Sequence, residues 1–443
     1  MFLSTPRHFQ MRDQVGVGSA MGIAWAGLWP FLPRGRASAY TPRTSAAVRR
    51  IACPHMPVAT AYRVILGRHP TPAEAAIEGA ASVDDRQPLA YRLLLTPEFR
   101  DVYFALKGEV GQSVLCRYDR VLRLIDGDAQ FVDLLYEYFL GRAADPEGRQ
   151  HYLGALASGE ARSHILQAIL RSDEFDHRLV RISPYVPRDV QLCELANPAK
   201  WDNPEWMALL SELSILPADK PRMHRKGYEL TQLLFGLRHL GKLDPERSVI
   251  SVGAGHECVL YWLANHVGRV AATDTYGGDW TTARGSEGDQ QVLAHPEAYA
   301  PFAYRREALT FFRMDGRRLG FRDATFDVAY SLSSIEHFGG FDGATSAIDE
   351  MARVVKPGGI VAVATEYHLS GPQCPDVFDA AQIRRLLDRP ALRLIEPIDE
   401  NVYRRYRYVP IDLVSTPYET PHLVVRIGQT VFTSVIAFLE KLR

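Results

Sequence analysis

The sequence predicts an α/β fold with a mostly parallel sheet, preceded by an all-α repeat domain. Three observations carry this. From Lys226 onward, short apolar runs alternate with helical patterns, which is how strands joined by crossover helices read. Between residues 56 and 180 the pattern is helical throughout and repeats itself. The valine-rich run Val249-Ile250-Ser251-Val252 ends in Gly253-Ala254-Gly255, and Asp274 follows one βαβ half-unit later. Glycines after a buried strand let a turn approach a ligand closely, and an acid at the tip of the next strand can hold a ribose.

Taken in order, residues 1–55 read as a disordered leader, with seven arginines in the first fifty positions against one acid, Asp13. A secretory signal is the competing reading, since Val15 to Leu32 is mostly apolar and Ala37-Ser38-Ala39 resembles a cleavage site. Arg34 and Arg36 interrupt that design, and Pro30 with four glycines argues against a membrane-spanning helix. No integral membrane segment is therefore expected.

Residues 56–180 hold two copies of one helical unit. Tyr62 to Arg68 matches Tyr136 to Arg142 at an offset of 74, Pro72 and Pro146 keep it, and Glu98-Phe99 matches Glu174-Phe175 at 76. In the second copy Phe131, Leu134, Leu135, Tyr138 and Phe139 form one apolar helix face. Gly141 fits a C-terminal cap, Asp145-Pro146 a helix start, and Ser163 the cap of a third helix. The copies resemble a bacterial helical domain of unknown function related to phycobilisome linker domains, whose pattern runs Tyr, Leu-Gly-Arg, Asp-Pro-x-Gly and Ser-x-Glu-Phe. The first copy departs with Thr71-Pro72-Ala73-Glu74. Such domains often sit beside enzymes of surface-polysaccharide assembly, which implies an interaction module with a protein partner.

Residues 181–222, with six prolines, read as a linker. Residues 223–443 form the sheet domain. Strands are expected at 248–252, 269–273, 309–314, 326–331, 359–365 and 392–396, with helices near 226–240, 257–266, 343–355 and 379–388. His422 to Arg426 and Gln429 to Phe438 read as a hairpin joined by Ile427-Gly428.

The balance of charge excludes some partners. Net charge is -1 with 47% apolar and 23% charged residues, an ordinary soluble composition. Neither nucleic acid nor anionic membrane is indicated. The five cysteines are odd in number and far apart, with no C-x-x-C, so neither a disulfide framework nor a metal site is expected. Reduced thiols fit a cytoplasmic location.

The glycine turn alone leaves the cofactor open, because position 258 is Cys where a dinucleotide fingerprint needs its third glycine. The downstream series is more specific. Met314-Asp315-Gly316 ends a strand with an acid, Phe326-Asp327-Val328 opens another that runs into Ile335-Glu336-His337-Phe338, and Lys356-Pro357-Gly358-Gly359 precedes a third. Over roughly residues 222–443 this resembles the class I S-adenosylmethionine-dependent methyltransferases. The resemblance implies a Rossmann-like, mostly parallel seven-stranded sheet with a reversed last strand, and S-adenosyl-L-methionine as cofactor. It implies that Gly253 and Gly255 lie against the methionine part and ribose, and that Asp274 accepts from the ribose hydroxyls. Asp315 would accept from the adenine amine, with Gly316 leaving room for the ring and Ser331 to Ser334 bordering the methyl group.

The chain also leaves the family pattern. Ser251 stands where an acid is usual, two residues before the first glycine, and Glu257 replaces a glycine. Glu257 is a candidate to supply the missing carboxylate, or it simply starts the helix well. His337 is the candidate base, with Glu336 orienting it or binding substrate. The expected activity is O-methylation of a small molecule or glycan. Two alternatives stand beside it: a non-catalytic cofactor-binding scaffold, motivated by Ser251 and Glu257, and a nicotinamide-dependent oxidoreductase using the same turn.

Overall fold

The structure is a computed structural model that describes residues 58–80, 89–107, 112–182, 190–213, 223–277, 289–401, 410–415 and 421–443. The expected leader over 1–55 lies outside the described residues. Residues His55–Arg443 form one compact unit, so the helical repeats and the sheet are parts of the same body.

The two repeats share an arginine clamp. Gly67 and Gly141 take φ of +65° and +70°, where only glycine is unstrained, and stop their helices. The next residue then folds back. Arg68 reaches Glu98 at 2.7 Å and Glu74 at 2.8 Å, and Arg142 reaches Glu174 at 2.5 Å and Asp145 at 2.9 Å. Each guanidinium also lies over a tyrosine ring, Tyr62 or Tyr136. Asp145 caps its helix through the Gly148 N–H at 2.8 Å. The departing Thr71-Pro72-Ala73-Glu74 achieves the same end as a capping box, Thr71 N to Glu74 Oε2 at 2.7 Å and Glu74 N to Thr71 Oγ1 at 3.2 Å. Ser163 is not a cap: it lies inside the helix Arg162–Leu170, whose N-cap is Ala161.

The region read as a linker is structured where it is described. It contains strand β1 (Glu194–Leu195), a 3₁₀ turn Pro198–Asp202 and a helix Pro204–Glu212. Asn197 and Asn203 cap the latter two, each followed by proline at the first helical position, an order that starts helices rather than breaking them. Trp206 is fully buried there and donates to Gln232 at 3.0 Å.

The sheet then builds from β2 (Ser248–Val252), β3 (Arg269–Asp274), β4 (Leu309–Arg313), β5 (Phe326–Leu332), β6 (Val355–Ser370), β7 (Leu392–Leu394), β8 (Ile411–Asp412), β9 (Val425–Ile427) and β10 (Thr430–Lys441). Its order is β4-β3-β2-β5-β6-β10-β9-β8, with β1 and β7 also paired to β10. The first five of these strands are parallel, and β10 runs antiparallel to β6. The expected reversed last strand is β10, and among the described residues ten strands exceed the seven expected because β1, β8 and β9 are short additions. Strands β2 and β5 are buried at every position, which is why they read as continuous apolar runs. The hairpin turn is Gly428-Gln429, one residue later than read, with Ile427 paired to Thr430.

The order reverses direction at β2, whose neighbours are β3 on one side and β5 on the other. In an open parallel sheet that is where the carboxyl ends of the strands splay and leave a crevice for a ligand.

Candidate functional site

At this crevice lies a cavity of about 320 Å³, lined on one side by the glycine turn and Asp274 and on the other by Ser333, Ser334, His337 and Phe338. The turn is built for close approach. Gly253 and Gly255 have φ of +73° and +47°. The N–H groups of Gly253 and Ala254 both donate to the Thr273 carbonyl, at 2.9 and 3.0 Å, which folds the turn over the end of β3. A Cβ on Gly253 would come within 2.5 Å of the Ser334 Cβ. A Cβ on Gly316 would come within 2.5 Å of the Phe338 ring and 2.6 Å of Val252. A side chain at either position would collide with these neighbours.

Asp274 is locked at the mouth of the turn. Its carboxylate accepts from the Gly255 N–H at 2.9 Å and the Thr275 N–H at 2.6 Å. Under the turn, the buried Tyr276 donates to the Gly255 carbonyl at 3.0 Å. Asp315 also lines the cavity, chelated by Arg317 at 2.6 and 2.9 Å, and the hydrogen bonds from Arg317 hold its carboxyl below the ordinary range. Arg317 in turn donates to the Phe338 carbonyl at 3.0 Å, tying the β4 loop to the β5 loop.

On the β5 side the backbone is strained. Ser333, a non-glycine residue, has φ of +48° at the cavity wall. Ser334 donates to the Gly253 carbonyl at 2.9 Å. His337 ends the 3₁₀ turn Ile335–His337, lines the cavity, and has Nδ1 3.4 Å from an Asp376 carboxylate oxygen. Two residues that the resemblance put here are elsewhere. Ser331 is fully buried in β5 and donates to the Val252 carbonyl at 2.6 Å, so Ser333 and Ser334 border the cavity instead. Glu336 is also fully buried and accepts from Thr365 at 2.8 Å, which removes it from contact with a substrate.

Glu336 belongs to a buried cluster beside the cavity. Arg225 bonds Glu366 and lies 3.5 Å from Glu229, which also accepts from Ser434. Burial, then the neighbouring Glu366, pushes the Glu336 carboxyl up to about 8, so it is largely neutral at neutral pH. Burial also raises Glu366, against the pull of Arg225. Glu229 is held below its ordinary value despite burial, because Lys226 and Arg225 flank it.

Lys226 is a cavity residue to which the sequence assigns no role. Its ammonium lies 2.9 Å from Glu257, 3.3 Å from Glu229 and 2.9 Å from the last carbonyl of β5, Leu332. A lysine in the first turn of a helix reads as a solvated charge, and only the fold brings that turn to the strand ends. Among the described residues no helix is long and apolar enough to cross a membrane.

The residues present fit an adenosine-containing sulfonium cofactor. Two glycines clear the floor, two fixed carboxylates face the cavity from adjacent strands, and the ring of Phe338 closes one wall. Comparison with known proteins points the same way. Residues 250–363 match a family described as a methyltransferase domain, and residues 126–179 match a domain of unknown function. The chain is 33% identical over 167 residues to a 2-methyl-6-phytyl-1,4-hydroquinone methyltransferase of Synechocystis sp., covering 37% of this chain and 47% of that protein. It thus spans about half the length of that relative. Solved structures similar to it include an S-adenosylmethionine-dependent methyltransferase from Aquifex aeolicus, at 17% identity and TM-score 0.30, covering 52% of this chain and 97% of that one. A geranyl diphosphate methyltransferase is similar at 14% identity and TM-score 0.33, covering 53% and 95%. Residues 250–363 thus carry a methyltransferase domain on a Rossmann-like, mostly parallel sheet, which indicates S-adenosylmethionine as cofactor, and residues 126–179 carry a domain of unknown function.

Proposed function

We propose that this chain transfers a methyl group from S-adenosylmethionine to a hydroxyl group of a small-molecule acceptor. The observation that carries the reading is the cavity at the β2 reversal, with Asp274 fixed by two backbone N–H groups at its rim. In this reading Asp274 accepts from the ribose hydroxyls, Asp315 from the adenine amine, and Gly253, Gly255 and Gly316 leave room for the molecule. When bound, the cofactor supplies an electrophilic methyl group on a sulfonium that leaves as a neutral thioether. No residue therefore has to protonate a leaving group. The pocket's main contribution is alignment, worth roughly 7–11 kcal/mol for well-oriented reactants.

His337 supplies the remaining step. It would accept the O–H proton of an acceptor hydroxyl, with Asp376 near Nδ1 to steady the ring, while the bound cofactor would supply the methyl group. Such a base contributes about 10²–10⁴ in rate. Glu336 acts at most through packing behind His337.

Two acceptor classes follow from separate observations. The Synechocystis relative is named for a hydroquinone, which supports an aromatic diol. The helical repeats support a cell-surface glycan, by their resemblance to domains found beside polysaccharide enzymes. Incubation with methyl-labelled cofactor and each class separately distinguishes them. Label should enter one class, fall at least tenfold in H337A, and vanish in D274A. No label in either class, from protein that binds the cofactor, would sink the proposal.

A further inference from the structure

The sheet order sets cavity groups out in a row along one edge. Asp315 follows β4, Asp274 ends β3, the glycine turn follows β2, and the Lys226 ammonium sits on the last carbonyl of β5. Strands β4, β3, β2 and β5 are neighbours in that order, so the row runs from two carboxylates, past glycines, to an ion pair. The cofactor proposed above has the same sequence of chemical groups: adenine, ribose, sulfur, then an amino-acid end with one ammonium and one carboxylate.

Resting on that reading, we infer that Lys226 and Glu257 form an exchangeable clamp for the amino-acid end of the cofactor, Lys226 taking its carboxylate and Glu257 its ammonium. Both side chains line the cavity and stand 2.9 Å apart. The pair is 27% and 13% exposed, so it is shielded enough to be strong and open enough to be reached. A zwitterion brings the complementary charges at similar spacing, and the internal pair is traded for two external ones. Lys226 stays in place during the exchange because Leu332 and Glu229 hold it from behind. Glu257 is the N-cap of the helix Cys258–His266 and makes no side-chain cap bond, so turning to a ligand ammonium breaks no cap. Ser251, at the position where an acid would be usual, is 1% exposed inside β2 and reaches no ligand. The anion of this site has moved from the strand to the start of the next helix.

Three thioethers separate the contributions in binding calorimetry: S-adenosylhomocysteine, its decarboxylated amine, and 5′-methylthioadenosine, which lacks the amino-acid end. The unmodified protein should bind them in that order. K226M should weaken S-adenosylhomocysteine about ten- to hundredfold, the range of one charge-assisted hydrogen bond, and leave 5′-methylthioadenosine unchanged. E257Q should weaken both ligands that keep the ammonium. Equal affinity of the unmodified protein for S-adenosylhomocysteine and 5′-methylthioadenosine overturns the clamp even if K226M does not fold. So does unchanged binding of S-adenosylhomocysteine by both variants. Binding of none of the three by the unmodified protein overturns the cofactor reading itself.

Discussion

Two sets of carboxylates stand on the same edge of this sheet and are treated in opposite ways. Asp274 and Asp315, beyond β3 and β4, face the cavity, and the Asp315 side chain is 44% exposed. Backbone N–H groups bond Asp274, and Arg317 chelates Asp315. Glu229, Glu336 and Glu366, around the ends of β5, β6 and β10, are almost completely buried. Glu229 is held below its ordinary value by Lys226 and Arg225, whereas Glu336, buried beside Glu366, gives its charge up. The difference teaches which acids can serve a ligand. An exposed acid can exchange its partner, whereas a buried one is committed to the fold.

The largest test of that division is Arg225. R225M leaves Glu366 and Glu229 without their shared guanidinium, and removing one partner of a buried pair costs about 3–5 kcal/mol, measurable by chemical denaturation. A loss below about 1 kcal/mol would break the comparison. D274N should do the reverse. Cofactor affinity should fall about tenfold to hundredfold, the effect of losing a charged acceptor, while stability changes by less than about 1 kcal/mol.

Next comes His224, which stacks on His422 at 4.1 Å and accepts from the Lys226 N–H at 3.1 Å. Burial, then His422 and Arg225, lowers it to about 4. Between about pH 6.5 and 4 the unfolded chain binds a proton that the folded chain refuses, so stability falls as pH drops through that window. H224N keeps a capping side chain without the titration, and its stability should fall less over the same window.

The smallest effect is expected at Glu336. Its folded value is raised, so stability declines as pH rises from about 4.5 to about 8, where the unfolded chain alone has lost its proton. E336Q mimics the neutral acid. It should change stability at pH 4 by less than about 1 kcal/mol and remove the decline above it. A large loss at pH 4 would mean that Glu336 is charged and paired.

The sheet was legible in the sequence where strands are buried on both faces. The runs in β2 and β5 are continuous because no polar face interrupts them. Legibility failed where meaning depends on distant partners. Glu336 and His337 are adjacent in sequence, yet one is sealed against Thr365 and the other faces the cavity. Ser331 and Ser333 differ in the same way, separated by the end of a strand. At Asn197 and Asn203 a proline by itself suggests a break, and only the capping asparagine before it marks a helix start. The arginine clamps of the repeats left a pattern, Leu-Gly-Arg and Glu-Phe, but no hint that Arg68 and Glu98 touch across thirty residues.

Strand β10 has a consequence for how this protein is made. Its three short partners on one edge, β1, β7 and β9, come from widely separated stretches, and Glu194 pairs with Ile436. All of them leave the ribosome before β10 does. Until that strand arrives, the outer edge of β6 is an unpaired template, and the apolar residues of the growing chain are held out of water only in part. The time between making β6 and making β10 is therefore the interval in which this chain is most exposed to aggregation, and the one in which a chaperone would serve it best.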